Sequence, residues 1–96
     1  MAKIGTFKIL DSFNITNRGI IITGYFIDGG KGRVGSTSIV EIQGTPAKVK
    51  IIGVEVGSAE FEEMRFGFLL SFESPDLENV AKRERIKEQR IEIFFE

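Results

Sequence analysis

Residues 13–30 read FNITNRGIIITGYFIDGG. An Asn-Arg-Gly turn signal precedes a run of β-branched residues, which ends in an aromatic pair and Asp-Gly-Gly. Two readings compete here. Either a strand leads into a loop that cradles phosphate, or a strand is bent and reversed inside a small barrel. A Walker phosphate loop needs Gly-x-x-x-x-Gly-Lys-[Ser/Thr] between a buried strand and a helix. Gly24 and Gly29 have that spacing, but Gly30 stands where lysine belongs. Lys31 comes one place late and is followed by Gly32 rather than Ser or Thr. Arg33-Val34-Gly35 then leads into another β-rich stretch, so there is no helix N-terminus to receive a phosphate. The glycines therefore read as a tight turn, in which Asp28-Gly29-Gly30 supplies positive-φ positions.

Working outward from this stretch, short segments rich in Ile, Val and Phe recur between turn signals, the pattern of a small sandwich or barrel. A first strand is expected over about 4–13, with Phe7, Ile9, Phe13 and Ile15 on the apolar parity and Lys8, Ser12 and Asn14 on the other. Asp11 falls on the apolar parity, which places it at a rim or beside a bulge. Thr16–Gly19 is a reverse turn. The second strand, 20–27, is apolar on both parities and is expected to be covered on both sides or to face a partner. A third strand is expected over 36–42, a loop at Gly44–Pro46, and a fourth strand over 47–56. The inner parity of the fourth switches from Val49 and Ile51 to Ile52, Val54 and Val56, so a bulge is expected near Gly53. Gly57–Met64 reads as a polar loop with a short helical turn. The fifth strand alternates clearly through Phe66, Phe68, Leu70 and Phe72. Ser74-Pro75-Asp76 opens a short helical turn near 76–83, and 90–95 return to strand. Six strands in one domain, 1–96, are best closed into a barrel, because closure hides unpaired edges.

Composition narrows the function. The 96 residues carry 13 basic and 14 acidic side chains, a net charge of −1, which argues against a protein that coats nucleic acid generally but leaves room for a local basic patch. Nine phenylalanines supply bulk for the core. Neither cysteine nor histidine is present, so disulfides, thiolate metal sites and the commonest general base are excluded. Glu60, Glu62 and Glu63 cluster in one polar stretch and read as solvated carboxylates, not an acid–base pair. Neither a spaced Asp/Asn/Gly metal loop nor a long apolar run occurs, so no metal, no cofactor and no membrane span are expected. With no signal sequence the expected location is cytoplasmic. The run Lys82, Arg83, Arg85, Lys87 and Arg90 is offset by Glu84 and Glu88. It reads either as a phosphate-contacting run or as a solvated face of weak ion pairs.

Asp11–Gly24, DSFNITNRGIIITG, resembles the start of the second domain of elongation factor Tu and its relatives. GGKGRVG resembles that family's next turn, KVKIIGVEV its fourth strand and FGFLL its fifth. The resemblance runs in order over nearly the whole chain. It implies a six-stranded Greek-key barrel of the translation-factor type, a module that in the family helps hold the aminoacyl end of transfer RNA and touches the small ribosomal subunit. The family's pocket for the terminal adenosine corresponds here to Asp11, Phe13, Ile15, Thr23 and Glu55. Leu10 stands where the elongation factor has an acidic residue, and Ser58 where it has arginine. The guanine-binding signature and the Walker loop of the GTPase module are missing, so no nucleotide hydrolysis is expected.

Two function classes follow. The first is a non-catalytic binding module associated with RNA, transfer RNA or the ribosome. The second is a protein-interaction or self-associating module, a homodimer included, suggested by the doubly apolar second strand and by Tyr25, Phe26, Phe61, Phe94 and Phe95. An enzyme is set aside, since no nucleophile–base constellation is present.

Overall fold

The computed structural model describes residues 1–57 and 65–96. Ser58, the three clustered glutamates and Phe61 lie outside the described residues, as does the helical turn expected there. The described elements are β1 (Ala2–Ile15), β2 (Gly19–Phe26), β3 (Thr37–Ile42), β4 (Thr45–Gly57), β5 (Arg65–Phe72), α1 (Pro75–Arg83) and β6 (Gln89–Phe95). The strands form a closed barrel in the order β1-β2-β5-β4-β3-β6, every neighbouring pair antiparallel. The expected all-β, six-stranded closed barrel with one short helix is the observed architecture.

Alternation puts Phe7, Ile9, Ile20, Ile22, Val40, Ile51, Phe68 and Ile93 inside, each at most 1% exposed. At one end of the barrel Phe7, Phe26, Phe66 and Phe68 form a ring cluster with centroids 4.8–6.0 Å apart in edge-on, tilted and stacked pairs. Phe26 is therefore partly buried and packed against the core through this ring cluster. β2 sits between β1 and β5, and its outer face is covered at Ile21. Ile20 and Ile22 point inward, while Ile21 on the outer face is flanked by its ladder partners Phe13 and Leu69 and is only 9% exposed.

Bulges correct the simple alternation. The β4–β5 register slips between Ile51 and Gly53, where the parity switch predicts it. A second slip, between Ile9 and Asp11 against β2, makes Leu10 an extra residue. Beyond it the parity of β1 is reversed: Ser12 is buried, whereas Phe13 and Ile15, expected on the core side, are 42% and 36% exposed.

The glycine segment also differs from the expected hairpin. β2 and β3 are not neighbours, so residues 27–36 cross from one side of the barrel to the other. The glycines allow close approach more than reversal. A Cβ on Gly32 would lie 2.4 Å from the Phe68 ring, and one on Gly30 would lie 2.4 Å from the Gly5 Cα. Asp28 fastens the crossing. Its carboxylate accepts the Thr6 amide at 3.0 Å through either oxygen and the Gly30 amide at 3.2 Å. These amide donors, Thr6 foremost, hold its pKa below the ordinary carboxylate value.

The other end is covered by α1 and the segment after it. Ser74 caps the helix by accepting the Leu77 amide, with Pro75 in the first turn. Ala81 and Ile86 are buried, and Leu77 and Val80 pack against the core. Gly44–Pro46 is only partly the expected loop. Gln43 and Gly44, at φ of 50° and 80°, form the two-residue turn, and Pro46 belongs to β4 opposite Glu41. Pro46 is tolerated because its nitrogen faces past the end of β5, where the ladder has stopped.

The β3–β6 seam is closed largely by side chains. Thr37 opposite Phe94 is its single ladder pair among the described residues. The Ser38 hydroxyl donates to the Glu92 carbonyl at 2.7 Å. Gln89 acts as a surrogate strand: its Oε1 accepts the Glu41 amide at 2.6 Å and its Nε2 donates to the Glu41 carbonyl at 3.1 Å.

Ser38→Ala strands a Glu92 carbonyl at a part-buried site and is expected to cost about 1–3 kcal/mol, against about 1 kcal/mol for the more exposed Gln89→Ala, both read from urea midpoints at constant slope. Asp28→Asn is expected to lower stability at neutral pH and to flatten its acid dependence. The native carboxylate has the lower pKa, so its contribution is complete above about pH 4 and fades as the pH falls through the depressed folded value. Equal pH slopes for wild type and variant between pH 2 and about pH 5 would contradict that assignment.

Candidate functional site

The reversed end of β1 builds the site. Ser12 turns inward, and its Oγ accepts the Ile86 amide at 2.7 Å, a fully buried bond between residues 74 apart in the chain. That bond pins the segment following α1 against β1. A cleft of about 340 Å³ opens between the two, walled on one side by Phe13, Asn14 and Ile15 and on the other by Ala81, Lys82, Arg83, Glu84 and Arg85. Two groups of residues singled out separately in the sequence thus meet in one place.

Arg85 spans the cleft. Its guanidinium lies 5.5 Å from the Phe13 ring centroid, a cation–π contact, and its Nε is 3.5 Å from the Asp11 carboxylate. Asp11 also accepts the Ser12 amide at 2.8 Å. Lys82 is paired within the helix to Glu78 at 3.5 Å. Arg83 is exposed and has no ion pair among the described residues. Lys82 and Arg83 lie in the last helical turn, where the helix dipole favours positive charge.

The remaining candidates are placed more loosely. Asp11, Thr23, Gly67 and Glu55 are successive ladder partners across β1, β2, β5 and β4, so they share one row on the outer face. Thr23 Oγ1 donates to the Asp11 carbonyl at 3.4 Å. Three strand spacings, about 14 Å, separate Asp11 from Glu55. Glu55 is held instead by Arg18 of the β1–β2 turn, at 3.5 Å. Lys87 and Arg90 leave the cleft: Arg90 is on β6 opposite Lys8, and neither lines the cavity. The basic run is therefore split, with only its first three cations beside Phe13. Of the aromatics proposed for partner binding, Tyr25 lies under Arg65 at 5.1 Å and Phe95 under Arg33 at 5.0 Å, while Phe94 lines the β3–β6 seam.

Sequence reasoning missed Ser12 and Asn14 as parts of the site. The available signal was Asp11, whose misfit on an apolar parity marked the slip that turns Ser12 in and Phe13 out. Among the described residues no group of three or more His, Cys, Asp or Glu is gathered to hold a metal ion, and no helix is long and apolar enough to cross a membrane. The chain matches no family model, no curated protein and no solved structure.

The two contacts that assemble the cleft should separate on mutation. Ser12→Ala leaves the buried Ile86 amide without its acceptor and is expected to cost about 1–3 kcal/mol. Arg85→Ala removes only an exposed pair and a cation–π contact and is expected to cost about 1 kcal/mol or less in urea unfolding. A reversed ranking would show that Arg85, not Ser12, holds the segment.

Proposed function

We propose that this chain is a non-catalytic binding module of the translation-factor barrel type, and that its cleft takes single-stranded RNA such as the exposed end of a transfer RNA or a ribosomal RNA segment. A cytoplasmic location goes with this reading. One observation carries it: an exposed aromatic, Phe13, with Ile15 beside it, faces Lys82, Arg83 and Arg85, with the single carboxylate of Glu84 among them, across one cleft. Stacking of a base on an aromatic side chain contributes about 1–3 kcal/mol, and each phosphate contacted by a cation adds a salt-dependent term. The closed antiparallel barrel and the order of the sequence blocks support the family part of the reading.

The same geometry limits the affinity. Arg85 already covers Phe13 and is tied to Asp11, so a base competes with the protein's own guanidinium for the ring face. The chain's net charge of −1 supplies no long-range attraction. Binding is therefore expected to be weak and local, and strongest at low salt.

Titration of the labelled protein with transfer RNA or a short single-stranded RNA should shift the amides of Phe13, Ile15, Arg83 and Arg85. The logarithm of affinity should fall with that of salt by about 0.7 per phosphate contacted. Phe13→Ala and Arg83→Glu should each weaken binding. An absence of shifts at low salt removes the proposal.

A further inference from the structure

Three consecutive residues of β1 grip two consecutive residues after α1. Ser12 takes the Ile86 amide, and on either side of it Asp11 and Phe13 take the Arg85 side chain. The two grips differ in kind. The backbone one is buried, at 2.7 Å. The side-chain one is loose: Arg85 Nε stands 3.5 Å from Asp11 Oδ1, against about 2.7–2.9 Å for a charge-assisted hydrogen bond. That oxygen already accepts the Ser12 amide at 2.8 Å, and the Arg85 side chain is 58% exposed. The guanidinium is therefore free to swing out while the backbone beside it stays pinned.

A guanidinium carries its N–H donors in a planar fork that fits two phosphate oxygens at once. A phosphate entering the cleft is thus a better partner for Arg85 than Asp11 is, and the exchange uncovers the face of Phe13. An uncharged base brings no such exchange. To stack on Phe13 it must displace the guanidinium and leave it unpartnered. Of the other charges that line the cleft, Lys82 is engaged by Glu78, and Glu84 is the one carboxylate. The volume of about 340 Å³ lies at the lower end of the range for small-ligand sites, about 300–1,000 Å³, and suits one nucleotide unit rather than a run of bases.

We propose that Arg85 is a latch over Phe13, held by Asp11 and released by a phosphate, so that the cleft takes a base joined to a phosphate and turns away the base alone. This rests on the single-stranded RNA reading and adds its regulation: Asp11 keeps the site shut, and Arg85 makes a phosphate the condition of entry.

The test follows amide shifts of Phe13, Ile15 and Arg83 in the full chain at low salt, with cytidine, cytidine 5′-monophosphate and a short single-stranded RNA. Wild type is expected to respond to the RNA and the monophosphate and far less to cytidine. Arg85→Ala, checked for folding by circular dichroism, is expected to move the two in opposite directions. Cytidine gains because the ring is bare, whereas RNA binding weakens and its salt slope falls by about 0.7, the share of one phosphate. Asp11→Asn is expected to tighten RNA binding about two- to fivefold, the worth of an exposed ion pair. Glu84→Gln, the same change of charge at a cleft carboxylate outside the Arg85 contact, is expected to tighten it less. An absence of shifts with RNA in wild type removes the RNA reading and the latch with it. With RNA binding intact, any of four results overturns the latch alone: equal responses of wild type to cytidine and its monophosphate, no gain of cytidine binding in Arg85→Ala, no tightening in Asp11→Asn, or equal tightening in Glu84→Gln.

Discussion

The arrangement of this molecule turns on the buried hydrogen bond from the Ile86 amide to the Ser12 hydroxyl. It exists because β1 carries an extra residue at Leu10, which reverses the strand's parity and sends a small polar side chain inward. The same reversal sends Phe13 and Ile15 outward, so one local irregularity supplies both the anchor and the exposed surface. Without the bulge, Phe13 would continue the core row of Phe7 and Ile9, and the end of the helix would have no reason to lie against it. Bulges re-aim side chains in this way at the rims of barrels.

Closure of the cylinder is the second constraint, and it is met unevenly. Among the described residues five of the six strand junctions carry extended ladders, whereas β3 and β6 share one ladder pair and rely on Ser38 and Gln89. A side-chain amide can occupy the place of a neighbouring strand because it offers the same donor and acceptor as a peptide group. The two ends are sealed by different means. Glycine-rich backbone lies directly on aromatic rings at one end, and a capped helix with Ala81 and Ile86 beneath it covers the other.

The candidate surface therefore arises where regular pairing gives way. The Phe13 cleft lies beside a bulge. On the regular face of β2, by contrast, Ile21 is covered by its ladder neighbours and offers little to a partner. The outward apolar residue of the doubly apolar second strand is thus packed between its ladder partners Phe13 and Leu69.

Much of this was legible in advance. Period-two alternation in Phe66–Phe72, the Asn-Arg-Gly turn, the parity switch before Gly53 and the Ser-Pro-Asp helix start each act over a few residues, so strands, turns, one bulge and the short helix could be read locally. The candidate residues Asp11, Phe13, Ile15, Lys82, Arg83 and Arg85 could be named too, but not joined. By itself the sequence determined a small all-β domain lacking cysteine and histidine, because alternation, turn chemistry and composition are local properties. Only the tertiary structure decided that Phe13 faces solvent, that Lys82, Arg83 and Arg85 stand beside it while Lys87 and Arg90 do not, and that the glycines cross the barrel end. The reason is that each of these depends on contacts between distant residues, in which a one-residue slip exchanges inside for outside.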